Sequence, residues 1–78
     1  MRTLQCVIDN YMGYPKLIYR RNGKVAIRNS KSMIEKGQVL LNERVCSETE
    51  KIVVTGDYIR WGFKHRRYHP LKESMSVP

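Results

Sequence analysis

The sequence lacks the features that mark membrane-spanning and secreted proteins. No apolar run approaches the roughly 18 residues that span a bilayer, and the opening MRTLQCVIDN has neither the apolar centre nor the small-residue cleavage site of a secretory signal. Cysteine is scarce, and Cys6 and Cys46 each lie in an apolar, strand-like segment. We therefore expect a cytoplasmic protein without membrane contact, whose cysteines are free, buried thiols.

Acidic residues are also few, which argues against catalysis. The seven Asp and Glu residues include no pair whose spacing would bring two carboxylates together, neither cysteine lies in a nucleophile motif with histidine, and no glycine-rich phosphate loop is present. His65 and His69 have a spacing that suits zinc on a helix, but Pro70 and the lack of nearby Cys or Asp ligands argue against metal. We predict a protein that is not an enzyme and needs no cofactor.

Positive charge is what the sequence has in excess. Fifteen Lys and Arg against seven acids leave a net charge of +8 on 78 residues, which favours a polyanionic partner. Residues 16–36 contain a single acid, Glu35, and seven cations that we predict to be RNA-binding: Lys16, Arg20, Arg21, Lys24, Arg28, Lys31 and Lys36. The run KHRRYH, residues 64–69, contributes Arg66 and Arg67, either as a second contact that orders on a polyanion or as a solubilising segment. The alternative for the main cluster is a solvated basic face.

The apolar pattern predicts one α+β domain that begins with a strand and two short helices. Residues 3–8 alternate as a strand would, and residues 14–21 place Pro15 where the first turn of a helix tolerates it. Residues 25–36 bring Ala26, Ser30, Met33 and Ile34 to one face of a second helix, which ends at Gly37.

Strands are predicted in the second half of the chain. They cover residues 38–42, 45–46, 52–54 and 58–61, with a turn at 55–57. Ile59 and Trp61 are two residues apart, so in a strand both would face the core. The alternative for Trp61 is an exposed position where it stacks on a base. Tyr14 and Tyr19 flank the basic segment, where they would stack on unpaired bases, although Tyr19 also suits the core. From Gly62 onward no period is evident, so we expect a coil tail.

This order of elements resembles the RNA-binding domain named after small-subunit ribosomal protein four (S-four). The likeness rests on Met33 to Asn42, which follow that family's Leu-Ile-x-x-Gly-x-Val-x-Val-Asn pattern, and on Gly56-Asp57-Tyr58-Ile59, which follow its Gly-Asp-x-Ile. Lys16, Ile18 and Ser30 also fall where the family has basic, apolar and small residues. The sequence departs from the family at three places. Pro15 replaces an acidic residue, Ala26-Ile27 replaces Ser-Arg or Thr-Arg, and Glu43 replaces a glycine.

The resemblance implies three segments and a function. Residues 1–13 would be an N-terminal strand extension, residues 14–61 an S-four-like domain with two short helices on a small antiparallel sheet, and residues 62–78 a basic flexible tail. In that family the basic helical faces contact RNA phosphates, so the expected partner is structured RNA, ribosomal or transfer RNA, with the ribosome or a protein as a further partner.

Two other functions compete with RNA binding. One is a protein-interaction module, such as a viral or mobile-element adaptor or inhibitor, that binds an acidic protein surface. The other is DNA binding, which is disfavoured because the predicted elements offer no long recognition helix for a major groove. If five cations each neutralise one phosphate, log K would fall with log salt with a slope of about −3.5 on single-stranded RNA and about −4.5 on a duplex.

Overall fold

A computed structural model describes residues 2–70, which form two helices and eight strands. The helices are α1 (Leu4–Met12) and α2 (Lys31–Glu35). The strands are β1 (Arg2–Thr3), β2 (Lys16–Tyr19), β3 (Val25–Arg28), β4 (Val39–Leu41), β5 (Arg44–Val45), β6 (Ile52–Val53), β7 (Tyr58–Trp61) and β8 (Lys64–Arg67). The predicted α+β class is confirmed.

All of the strand pairs are antiparallel. The main sheet has the order β5-β4-β7-β8, β1 pairs with β6, and β2 pairs with β3 as a separate two-stranded hairpin. The core lies between the main sheet, β6 and the two helices. Its buried side chains are Leu4, Val7, Ile8, Ile34, Val39, Leu41, Val53, Ile59, Trp61 and Tyr68. The hairpin contributes none of them.

Helix α1 occupies most of residues 3–8, which were expected to be a strand. Thr3 caps α1 by accepting a hydrogen bond from the Cys6 N–H at 3.2 Å, and Gly13 ends it with a φ of 72°. The predicted N-terminal strand is present as β1, which pairs with β6, but it ends at Thr3. The rest of the predicted strand is helical because the apolar spacing of Leu4, Val7 and Ile8 suits a helix. The helix turns Cys6 outward, so this thiol is free but exposed, whereas Cys46 is free and half-buried.

Residues 14–21 and 25–28 form a hairpin where helices were expected. Tyr14 and Pro15 precede β2, and β3 occupies the start of the predicted second helix, so that α2 keeps only its last part. Asn22-Gly23 lies in the hairpin turn, with a Gly23 φ of 81°, rather than between two helices. The β-branched and aromatic residues on both sides of this turn favour extended backbone over helix.

The predicted corner between the second helix and the next strand is confirmed. The Gly37 N–H donates to the Ile34 carbonyl at 3.0 Å, and the Gln38 N–H donates to the Met33 carbonyl at 3.2 Å. Gly37 has a φ of 75°, the left-handed conformation that glycine adopts at the end of a helix. The chain therefore enters β4 at once, with Val39 and Leu41 buried.

The predicted coil tail begins with ordered structure. Residues 64–67 form β8, which pairs with β7 over its whole length, and Tyr68 reaches the core. Residues 71–78 of the predicted tail, like residue 1, lie outside the described residues. Neither helix found within residues 2–70 has the length and apolar character needed to cross a membrane.

Candidate nucleic-acid interface

The hairpin has one basic face and one apolar face. Its register pairs Lys16 with Arg28 and Ile18 with Ala26 on one face. Since side chains alternate along a strand, the pairs on the other face are Leu17 with Ile27 and Tyr19 with Val25. The latter four side chains, called here the apolar face, are between 53% and 75% exposed.

The turn of the hairpin carries three of the predicted cations. The Arg20 N–H donates to the Lys24 carbonyl at 2.9 Å, and the Gly23 N–H returns to the Arg20 carbonyl at 3.0 Å. Asn22 Oδ1 accepts a hydrogen bond from the Lys24 N–H at 3.0 Å. These bonds fix the backbone of the turn and hold Arg20, Arg21 and Lys24 at the exposed end of the ribbon.

A groove runs between the hairpin and α2, and cations from three parts of the chain line it. Arg20 belongs to the turn, Arg28 to the end of β3, and Lys36 to the end of α2. None of the residues that line this groove is acidic, and among residues 2–70 the structure shows no ion pair at these three cations. Their charge is therefore open to an external anion.

Tyr14 lies at the base of the hairpin between two cations. The Lys16 ammonium is 5.8 Å from the centroid of the Tyr14 ring, and the Arg28 guanidinium carbon is 5.9 Å from it. Both distances are within the range of cation–π interactions. The Tyr14 ring thus links Lys16 to Arg28, one of the three cations of the groove.

Helix α1 fixes the position of the segment that forms the groove wall. Asp9 Oδ1 accepts a hydrogen bond from the Ser30 N–H at 2.8 Å, and the Ser30 hydroxyl donates to the Gln5 carbonyl at 3.4 Å. Ser30 is 1% exposed. The chain between β3 and α2 is therefore held against the core, although the hairpin itself extends away from it.

The structure brings some of the predicted RNA-binding residues together and separates others. Lys16, Arg20, Arg28 and Lys36 lie along or beside the groove, Arg21 and Lys24 lie at the turn, and Lys31 is exposed at the start of α2 outside the lining. Arg66 and Arg67 are in β8 of the main sheet. The Arg66 guanidinium carbon lies 5.8 Å from the Tyr11 ring centroid, and that of Arg67 lies 5.4 Å from the Tyr58 ring centroid. The prediction that two helices carry these cations is therefore wrong. Most of them are carried by a β-hairpin.

Comparison of the chain with protein-family models, with curated proteins and with solved structures finds no match. The resemblance to the S-four domain therefore stays a prediction.

The aromatic residues differ in their availability to a ligand. Trp61 is 4% exposed, stacks on Tyr11 at a centroid distance of 6.0 Å and donates from Nε1 to Met12 Sδ at 3.3 Å. This confirms that Ile59 and Trp61 face the core, and it excludes the base-stacking alternative for Trp61. Tyr19, for which a core position was one expectation, is 75% exposed.

The groove includes polar residues that sequence reasoning did not identify. Asn29, Ser32 and Gln38 line it beside the cations. Their types are common in loops and give no signal on their own. A signal for the hairpin was present, because KLIY and VAIR are rich in strand-forming residues and flank a turn that contains Asn-Gly.

Residues 2–70 contain no group of three or more His, Cys, Asp and Glu side chains that could hold a metal ion.

Proposed function

We propose that the protein is a small RNA-binding module that docks on structured RNA through phosphate contacts. The observation that supports this best is the groove, where Arg20, Arg28 and Lys36 converge without a carboxylate among the described residues that line it. The contacts would come from the hairpin and the end of α2, in place of the helical faces expected from the sequence.

The residue types suit a phosphate backbone. An arginine fork binds two phosphate oxygens at once, and a lysine supplies a mobile point charge. With Lys16 beside the groove, four cations are available, and each released counterion contributes to the salt dependence of binding. The expected slope of log K against log salt is about −2.8 on single-stranded RNA and about −3.6 on a duplex.

The experiment compares two variants that lower the net charge by the same amount. The groove variant changes Arg20, Arg28 and Lys36 to Gln, and the control variant changes Arg44, Lys51 and Arg60 to Gln, all of which are exposed and outside the groove. If each phosphate contact contributes about 1 kcal/mol, a folded transfer RNA transcript should bind the groove variant about 100-fold more weakly at constant salt. The control variant should keep most of the affinity.

Two results would contradict the proposal. One is equal loss of affinity in the two variants, which would mean that only net charge matters. The other is preference for duplex DNA over the folded RNA in a gel-shift competition, since a two-stranded ribbon also fits a major groove. Circular dichroism of both variants checks that they are folded.

A second candidate function, a protein-interaction module, is favoured by the apolar face of the hairpin. Leu17, Tyr19, Val25 and Ile27 form four adjacent exposed side chains on a ribbon that pairs with no other strand within residues 2–70. Residues 16–28 contain five cations and no acid. A second copy would bring the same positive charge, so the partner that fits is a protein with an apolar strip bordered by carboxylates.

Photocrosslinking from position 19 tests this second function. A photoreactive phenylalanine analogue at Tyr19 should crosslink to an apolar surface flanked by Asp or Glu. The Leu17→Ser/Val25→Ser variant should remove the crosslink without weakening RNA binding, because neither residue lines the groove. Crosslinks only to RNA or to a second copy would argue against it.

A further inference from the structure

We propose that the groove seats an unpaired nucleotide of the RNA, with the base against Tyr14 and the neighbouring phosphates at Arg20, Arg28 and Lys36. This inference rests on the proposed function and specifies which part of the RNA enters the groove. The features that support it are the position of the Tyr14 ring, the mixed lining of the groove and its size.

Tyr14 has a hydrogen-bonded backbone and two cations close to its ring. Its backbone N–H donates to the Asp9 carbonyl at 2.8 Å, and Lys16 and Arg28 lie at 5.8 Å and 5.9 Å from the ring centroid. The side chain is half-buried, so part of its surface remains open. An aromatic ring next to cations suits a base that stacks while its phosphates are neutralised.

The rest of the lining has the mixed chemistry of a nucleotide. Ile18, Ala26 and Met33 give apolar surface, which suits the flat face of a base. Asn29, Ser32 and Gln38 give hydroxyl and amide groups, which both donate and accept hydrogen bonds and so suit the edge of a base. A site that contacts only phosphates would need neither the apolar surface nor the amide and hydroxyl groups.

The size of the groove separates an unpaired nucleotide from a duplex. Its volume is about 430 Å³, within the range of sites that hold small organic ligands. A base in a duplex is stacked between its neighbours and offers only its groove edges, so it cannot lie against Tyr14. A loop or bulge, in which bases are unstacked, supplies a free base within structured RNA.

The test uses a single-stranded RNA of about ten nucleotides that contains one fluorescent aminopurine base. Stacking on Tyr14 should change its emission saturably, and the same strand annealed to its complement should bind more weakly without that change. Because stacking on an aromatic side chain contributes about 1–3 kcal/mol, Tyr14→Ala should weaken binding of the single strand about 5-fold to 150-fold. Free aminopurine nucleoside monophosphate should bind far more weakly than the strand, which would assign the site to RNA rather than to a free nucleotide.

The matched control is Tyr19→Ala, because Tyr19 lies on the apolar face of the hairpin and does not line the groove. It should bind the single strand as the parent protein does, and Tyr14→Phe should retain most of the affinity. If Tyr14→Ala does not fold, Tyr14→Leu replaces it, since leucine keeps apolar volume but has no ring.

The outcomes separate this inference from the proposed function. If Tyr14→Ala or Tyr14→Leu binds the single strand as well as the parent, or if the duplex binds equally well, no base occupies the groove. Phosphate binding would still stand in that case, provided that the groove variant loses affinity. If the groove variant binds like the control variant, the proposed function fails as well.

Discussion

Asn42 and Glu43 form the two-residue turn between β4 and β5, and both have a positive φ, 53° and 68°. Asn42 suits this turn because its side chain also accepts the Tyr58 N–H at 2.9 Å and donates to Asp57 Oδ1 at 3.1 Å. Asp57 Oδ2 in turn accepts the Val54 N–H at 2.9 Å. The Asn42 and Gly56-Asp57 motifs are thus parts of one hydrogen-bonded structure.

Glu43 is the residue in this turn whose conformation is unfavourable. The left-handed region costs a residue with a Cβ about 1–2 kcal/mol, and the 3.4 Å ion pair of Glu43 with Arg60 is exposed and contributes little. Glycine removes this conformational cost, but its greater entropy in the unfolded chain offsets part of the gain. Glu43→Gly should therefore raise the free energy of unfolding by about 0.5 kcal/mol. Urea denaturation measures it, with Glu43→Gln as the control for lost charge. A lower stability for Glu43→Gly would show that the ion pair outweighs the backbone conformation.

Asp9 is the residue that connects α1 to the groove wall. Removing its carboxylate leaves the Ser30 N–H without its acceptor at a buried position, so Asp9→Ala should lower the free energy of unfolding by about 1–2 kcal/mol. Asn10→Ala, on the same helix, should change it by less than about 0.5 kcal/mol. Urea denaturation of both variants checks this, and equal stabilities would show that the Asp9 bond contributes nothing.

At the scale of elements, the segment from the end of α2 to β7 was predictable, whereas α1, the hairpin and β8 were not. Gly37, the alternation of Val39 and Leu41, and the Gly56-Asp57 turn are local signals, and the strands they indicate are confirmed. Residues 3–8 fit both the two-residue period of a strand and the 3.6-residue period of a helix, since Leu4 and Ile8 lie on one face in either structure. The Thr3 cap and the Gly13 stop decide for the helix.

The groove was beyond prediction for a different reason. Its cations were identified from charge, but their convergence depends on how the hairpin meets α2. Ser30, which lies between the hairpin and α2, is held by hydrogen bonds to Asp9 and Gln5, residues 21 and 25 positions away in the chain. The pattern of residues 16–36 contains no information on these contacts, and a helical interpretation of the same residues gave a different surface.

The hairpin should be the least stable element of the described chain. It forms a separate two-stranded sheet with an exposed apolar face, and an isolated hairpin is marginally stable in water. Amide protons bonded across β2 and β3 should therefore exchange at least about 100-fold faster than those between β4 and β7, which open only with the fold. Hydrogen exchange followed by NMR measures this, and RNA should slow exchange in the hairpin selectively. Uniform protection across both sheets would contradict it.

At the scale of the whole molecule, the net charge of +8 should make stability depend on salt. The extents of the molecule are 43 × 29 × 23 Å. At 0.01 M salt the Debye length is about 30 Å, so most of the cations repel one another across the molecule. At 0.15 M salt the Debye length is about 8 Å, and most of this repulsion is screened. We expect the free energy of unfolding to rise by an amount on the order of 1 kcal/mol over this range.

The groove variant with Arg20, Arg28 and Lys36 changed to Gln provides the control for this prediction. It lowers the net charge from +8 to +5, because three cations are removed from the total. Its stability should therefore exceed that of the parent at low salt and respond less to added NaCl, and both quantities follow from urea denaturation at the two salt concentrations. The same response to salt in both proteins would mean that these cations are too far apart to repel one another, which would also weaken the case that a single RNA segment contacts all three.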